Sequence, residues 1–316
     1  MGENSVQNFS KHIEAWLVDL ASRASKSTVS AYRQDIETYH RWLLDRGLSV
    51  LSSPPEDLQT FIDQMFSAGR SVASCNRAAS AIKTFHRYLV ETGASHRNPS
   101  STLKRLTIIE KVPEILTVEA MIQVLDVAHE RARSWTDTKH KGASLARSAA
   151  MLEAAYSSGF GVSDLVSVPL TAMNRGPLWR VRDGDGVLRD RVLNEKARDA
   201  ISFWRDRVAE CGDPSSKWLF HATRDSSKPI SRSQVFRDFE EAGKASGIAM
   251  PFVLSPSIVR DTFGVHLLQN GMSIPECAHL LGYGEFGSLE RLLGRHESRM
   301  DRASHAGWQP SLAMER

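Results

Sequence analysis

Residues 254–271 read Leu254-Ser255-Pro256-Ser257-Ile258-Val259-Arg260-Asp261-Thr262-Phe263-Gly264-Val265-His266-Leu267-Leu268-Gln269-Asn270-Gly271. The stretch opens a helical pattern that runs from Pro256 to Leu281. Arg260 is its one arginine. His266, about a turn and a half further on, reads as a packed helix residue rather than a catalytic one. Two shorter stretches flank this one. Leu280-Leu281-Gly282-Tyr283 follows it, and Ser158-Gly159-Phe160-Gly161-Val162-Ser163-Asp164-Leu165 lies about a hundred residues before it.

Outward from these stretches the pattern is mostly helical. In the N-terminal part Val29, Tyr32, Ile36, Tyr39 and Leu43 recur at three and four residues, with Ser27 or Thr28 as the expected N-cap. Gly47 ends that helix. Leu58, Phe61, Ile62, Met65 and Phe66 then carry the same period up to Gly69. A third stripe of Ala78, Ala79, Ile82, Phe85 and Leu89 leaves Arg77, Lys83 and Arg87 outside it, and Arg70 precedes it. Together with an apolar pattern from Phe9 to Leu20, residues 1–95 read as a small four-helix domain. Residues 96–113 hold Asn98-Pro99 and the basics Arg97, Lys104, Arg105 and Lys111 against the single acid Glu110, which reads as a basic linker.

A second domain over 114–300 begins where Thr117 caps a helix carrying Met121, Ile122, Leu125 and Ala128. Further helical patterns lie at 146–158, 197–208 and 231–246. The one convincing β signal is a hairpin, in which Leu178-Trp179-Arg180-Val181 and a run from Leu188 to Leu193 flank Asp183-Gly184-Asp185-Gly186. Residues 301–316 are a C-terminal tail with Trp308, Leu312 and Met314 as apolar anchors.

Charge alone says little, because the formal net charge is only +3. Its distribution says more. The first 111 residues carry 14 basic and 11 acidic side chains, so the whole excess lies in that third of the chain. Cys75, Cys211 and Cys277 are far apart and have neither zinc spacing nor the even count of a disulfide framework. That pattern fits a reducing cytoplasm, with no metal site and no cofactor. The polar start lacks a signal-peptide pattern, and no run approaches the ~18 apolar residues of a membrane span. A soluble, cytoplasmic protein without a membrane partner is therefore expected.

The three quoted stretches resemble, in order, three boxes of the tyrosine recombinases of the phage-integrase and Xer type. Ser158 to Leu165 resembles T-G-L-R-x-S-E-L, Leu254 to Gly271 resembles L-S-P-H-x-L-R-H-x-F-A-T-H-L-L-x-x-G, and Leu280 to Tyr283 resembles L-L-G-H. Thr28-Val29-Ser30-Ala31-Tyr32-Arg33-Gln34-Asp35-Ile36 is similar to the opening helix of the family's core-binding domain. The resemblance implies a mainly α fold with a small β-hairpin or sheet. Its two domains form a tyrosine-recombinase-like clamp, a helical core-binding domain followed by a mixed α/β catalytic-like domain, closed around double-stranded DNA.

A family enzyme attacks a DNA phosphodiester with a tyrosine. It stabilises the transition state with two arginines, histidine or tryptophan donors, and a lysine on a β-hairpin. By the resemblance the first arginine falls on Gly161, the first histidine on Ser257, the second arginine on Arg260, the next histidine on Asp261, the later histidine or tryptophan on Tyr283, and the nucleophile on Leu292. The hairpin holds no lysine, but carries Arg182, Arg189 and Arg191. These departures imply a DNA-binding protein without strand cleavage, acting as a transcriptional regulator or as a non-catalytic accessory subunit in integration or recombination. Arg260, Arg70, Arg77, Lys83, Arg87, Arg97, Lys104, Arg105 and Tyr283 are its candidate DNA contacts. Partner subunits would be a second copy held through the tail, or an active recombinase. Two other readings stand beside this one. One is an active recombinase whose nucleophile has moved to Tyr283, and the other is a protein-interaction scaffold that binds no DNA.

Overall fold

In the computed structural model, which describes residues 2–107, 114–136, 138–176, 178–182, 188–211, 216–282, 289–290 and 294, the chain divides into two units, Met1–Glu110 and Lys111–Arg316. Four helices build the first: α1 (Gly2–Ala21), α2 (Lys26–Leu44), α3 (Pro55–Ser67) and α4 (Val72–Glu91). Ser25, rather than Ser27 or Thr28, caps α2. Its backbone is extended and its hydroxyl accepts the Thr28 N–H, so the helix starts a turn earlier than the apolar period alone suggests. Pro55 opens α3 at a position where a missing N–H costs nothing. The expected stripes meet in one core in which Trp16, Ile36, Tyr39, Leu43, Leu58 and Phe85 are fully buried. Phe66 departs from expectation. It is half exposed, because α3 buries Leu58, Phe61 and Ile62 and ends before a further turn can pack.

The expected linker is not free over its first part. Leu103 is buried in the core of the first unit. The Asn76 side-chain amide donates to the Leu106 carbonyl at 2.9 Å and accepts the Leu106 N–H at 2.8 Å. Gln59 accepts the Lys104 N–H at 3.0 Å, and Arg105 donates to the Ser80 hydroxyl at 2.9 Å. Side chains from α3 and α4 thus satisfy the polar backbone that an extended segment would otherwise leave to water.

Within this core His86 lies 3.3 Å from the Tyr39 hydroxyl. Burial disfavours the imidazolium and lowers His86 from 6.5 to about 4. The folded value lies below the unfolded one. The stability contributed by neutral His86 is therefore fully present above about pH 6.5 and is lost as pH falls toward 4, because the unfolded chain takes up the proton first. The difference is worth about 3 kcal/mol. Urea unfolding at pH 7 and pH 4.5 should show most of that loss in the native chain and much less in His86→Gln. Equal losses in both would assign the acid sensitivity elsewhere.

The second unit is organised around α6 (Lys139–Ser158), whose alanine-rich surface is buried almost all round. It packs against α5 (Val118–Ser134), α8 (Glu195–Ala209), α9 (Arg232–Ala245) and α10 (Pro256–Gln269). Small side chains allow several helices to approach one axis closely, and the buried charges on this helix are paired. Arg147 bonds Asp238 of α9 at 2.9 Å and the His221 carbonyl at 3.0 Å, while Glu153 bonds His129 of α5 at 2.8 Å. Thr117 caps α5 as expected, but Ile122 is exposed and only Met121, Leu125 and Ala128 of its predicted stripe are buried.

The predicted hairpin is present. β1 (Leu178–Arg182) pairs antiparallel with β2 (Leu188–Val192), while Asp183 to Gly186 lies outside the described residues. A second small hairpin, β3 (His221–Ala222) with β4 (Asp225–Pro229), was not legible, because its residues are short, polar and without apolar alternation. The helical pattern expected from Pro256 to Leu281 is broken in two. Gly271 turns with a φ of 91°, and Ser273 with Glu276 forms a capping box that restarts the chain as α11 (Ile274–Leu281). Among the described residues no helix is long and apolar enough to cross a membrane.

Candidate nucleic-acid interface

The second unit gathers its candidate site at the C-terminal end of α11. The last carbonyls of a helix have no intrahelical partner and carry the negative end of its dipole, so they attract donors and cations. Two arginines from different elements meet them. Arg260, half-buried on α10, donates through Nη2 to the Leu281 carbonyl, and Arg191 on β2 donates to the Leu280 carbonyl. A third, Arg189, lies across Gly282, where an added Cβ would stand 2.5 Å from its Nε. Gly282 also has a φ of 77°, so both its backbone and its neighbour call for glycine there.

Strand alternation explains which hairpin cations take part. Register pairs Trp179 with Arg191 and Val181 with Arg189, and both apolar partners are buried, so Arg189 and Arg191 share the inward face. Arg180 faces outward and pairs with Asp190 at 2.8 Å, and Arg182 is exposed. Arg191 is 1% exposed. It reaches Asp164 at 3.5 Å and the Ser158 carbonyl at 3.4 Å, and its guanidinium stands 5.8 Å from the Phe160 ring centre. The hairpin is thereby tied to the end of α6, to α7 (Val162–Ser167) and to α11 by one side chain. Replacing Arg191 by Ala leaves the buried Asp164 carboxylate without this counter-charge. It should cost about 3–5 kcal/mol in urea unfolding of the full chain, whereas Arg180→Ala on the outward, solvent-screened face should leave the unfolding midpoint nearly unchanged. Equal effects at the two positions would show that Arg191 is no lock.

Gly161 is the N-cap of α7, and its N–H donates to Asp164 at 2.9 Å. Its φ of −84° and ψ of 172° are open to any residue. What fills the space is Arg260, whose Nη1 would stand 2.9 Å from a Cβ at this position. Ser257 is exposed, with its hydroxyl 3.0 Å from that of Ser255, and Asp261 is half-buried one residue beyond Arg260. His266 is a packing residue, as expected, bonded to the Tyr156 hydroxyl at 2.8 Å and to the Leu116 carbonyl at 3.0 Å. Tyr283, Leu292 and the tail lie outside the described residues. The sequence reading did not anticipate that Asp164 and Arg191 form a buried pair. The alternation of β2 was available as a signal, but only its register against Trp179 and Val181 decides which face is inward.

In the first unit Arg70, Arg77, Arg87, Arg97, Lys104 and Arg105 are exposed and Lys83 is half-buried. Arg87 has Glu91 3.8 Å away, and Arg105 lies on Ser80. Arg77 differs from the rest. Its Nε and Nη2 donate to the two oxygens of buried Asp35 at 2.8 and 3.0 Å.

A four-helix unit is thus followed by a mainly helical unit in which arginines converge beside a hairpin on the end of one helix. Residues 126–291, more than half the chain, match the Phage integrase family, and residues 13–93 match the Phage integrase N-terminal SAM-like domain. The chain belongs to the phage integrase family of tyrosine recombinases. It is 29% identical over 270 residues to tyrosine recombinase XerD of Brucella suis, covering 84% of this chain and 86% of the relative. It is 26% identical over 306 residues to XerD of Caulobacter vibrioides, covering 92% and 96%. Among solved structures, the XerH recombinase on difH substrate in its post-cleavage complex superposes with a TM-score of 0.68 at 13% identity, over 87% of this chain and 78% of that one. The lambda integrase tetramer bound to a Holliday junction gives 0.64 at 19% identity, over 90% and 76%.

Proposed function

We propose that this chain binds double-stranded DNA through both units and does not cleave it, acting as a transcriptional regulator or as a non-catalytic subunit beside an active recombinase. The observation that carries the reading is the relation between Gly161 and Arg260. Where the family resemblance calls for a first arginine there is no side chain, and the guanidinium of the second has folded into that space to bond the Leu281 carbonyl. A phosphate clamp of two arginines is reduced to one, with Ser257 and Asp261 in place of neighbouring histidines. Losing several preorganised donors together suppresses phosphoryl chemistry far more than binding, because the chemistry depends on charge stabilised only in the transition state.

Binding has independent support. The basic candidates of the first unit other than Lys83 are exposed, and the XerH and lambda integrase structures hold their own DNA substrates. Arg260, Arg70, Lys83, Arg87, Arg97, Lys104 and Arg105 are the proposed phosphate contacts. A second reading, an active recombinase with Tyr283 as a displaced nucleophile, is favoured by the names of the relatives, which are recombinases. One pair of measurements on the same duplex separates the two. Under the first reading a native gel retains the complex and a denaturing gel shows no protein-linked DNA.

A further inference from the structure

We propose that Arg77, held by Asp35, reads a guanine base edge, and that Asp35 is the positioning residue for this contact. The inference rests on the DNA-binding reading above and names its sequence determinant. The Asp35 carboxylate is buried beneath α4 and takes the Nε and Nη2 donors of Arg77 in a two-point bond, while the arginine side chain remains 44% exposed. A guanidinium has five N–H donors in a rigid plane. With one edge fixed on Asp35, Nη1 and the outer N–H of Nη2 face away from it as a parallel pair, which matches the O6 and N7 acceptors of guanine.

The choice of a base over a phosphate follows from charge. Phosphate binding draws its free energy from net positive charge and counterion release. Asp35 cancels the charge of Arg77 and leaves its directional donors, a combination that contributes little to general attraction and much to discrimination. The helix face agrees. At 100° per residue, Arg77 stands at one margin of the polar face of α4 and Lys83 and Arg87 at the other, with Ala73, Ser80 and Thr84 between them. Ala73 is short, the Ser80 and Thr84 hydroxyls turn back to carbonyls of their own helix at 2.9 and 3.0 Å, and Arg105 of the following segment donates to the Ser80 hydroxyl at 2.9 Å, so the middle of the face carries a cation of its own. On such a face Lys83 and Arg87, the latter with Glu91 3.8 Å away, serve the backbone at one margin, and the neutralised arginine at the other serves a base in the major groove.

The test is binding-site selection by the full chain from a randomised duplex library, followed by affinities of the native chain, Arg77→Lys and Asp35→Asn for the selected duplex and for each of its single base-pair changes. Arg77→Lys keeps a cation beside buried Asp35, and Asp35→Asn keeps one acceptor for the arginine. Thermal melts establish that both variants fold. The native chain should select one guanine whose replacement weakens binding about tenfold or more. Both variants should show less than about a threefold preference there, with the slope of log K against log salt unchanged. Uniform weakening on every duplex, with the slope reduced by about one, would make Arg77 a phosphate contact and overturn the inference. So would unchanged base preference in both variants, which would make the pair purely structural. A native chain that binds no duplex at low salt overturns both the inference and the reading beneath it.

Discussion

No covalent protein–DNA adduct should form when the full chain is incubated with nicked or suicide duplexes that trap cleavage by family enzymes. Removing one preorganised donor to a developing charge costs on the order of 10² to 10³ in rate. On the reading proposed above, the positions that the resemblance assigns to the first arginine and both histidines of the main boxes hold Gly161, Ser257 and Asp261, and the position it assigns to the nucleophile holds Leu292. On that reading the attacking atom is missing and the covalent step with it, so the expected yield is zero rather than small. The geometry around Gly161 adds a second expectation. Gly161→Arg combined with Leu292→Tyr should still form no adduct, because a side chain at 161 meets the Arg260 guanidinium and Arg260 must first leave the Leu281 carbonyl. An adduct with the native chain that disappears in Tyr283→Phe would establish the displaced-nucleophile enzyme instead.

Binding to duplex DNA should weaken about 10³- to 10⁴-fold between 50 and 200 mM salt, with log K falling against log salt at a slope of about −6 for seven phosphate contacts. The net charge of +3 is too small to produce such steepness by long-range attraction. The slope must come from local cations, each displacing counterions where it touches the backbone. Arg260→Ala should weaken binding to all duplexes alike and reduce the slope by about one. Arg105→Ala should do the same, because Ser80 and the Asn76-held backbone fix that side chain in place before any DNA arrives. A flat salt response would remove duplex DNA as the partner, and an unaltered affinity in folded Arg260→Ala would show that this arginine serves only to cap α11.

The comparison of sequence with structure turns on how far apart the interacting residues are. The α-helices of the first unit were readable because their apolar residues recur within a few positions, and period, caps and glycine stops are local facts. The hairpin of β1 and β2 was readable for the same reason. The three boxes around Gly161, Arg260 and Gly282 placed the family, since order and spacing along the chain carry that information without coordinates. Where several local signals competed, the sequence was less decisive. Ser25 rather than Ser27 starts α2, and the break between α10 and α11 depends on Gly271 and on a capping box set inside an otherwise continuous apolar pattern.

Only the tertiary structure decided what the arginines do. Arg189 and Arg191 look alike in the sequence, yet one lies across Gly282 and the other is a buried link among β2, α7 and two helix ends. Arg77 looked like Lys83 and Arg87, but Asp35, 42 residues earlier in the chain, takes two of its donors. The sequence by itself determined the helices, the hairpin and the family. Tertiary structure alone determined that Arg260 fills the space beside Gly161, because that fact depends on three segments, around Gly161, Arg260 and Leu281, brought together from distant parts of the chain, and no local pattern records the distance between them.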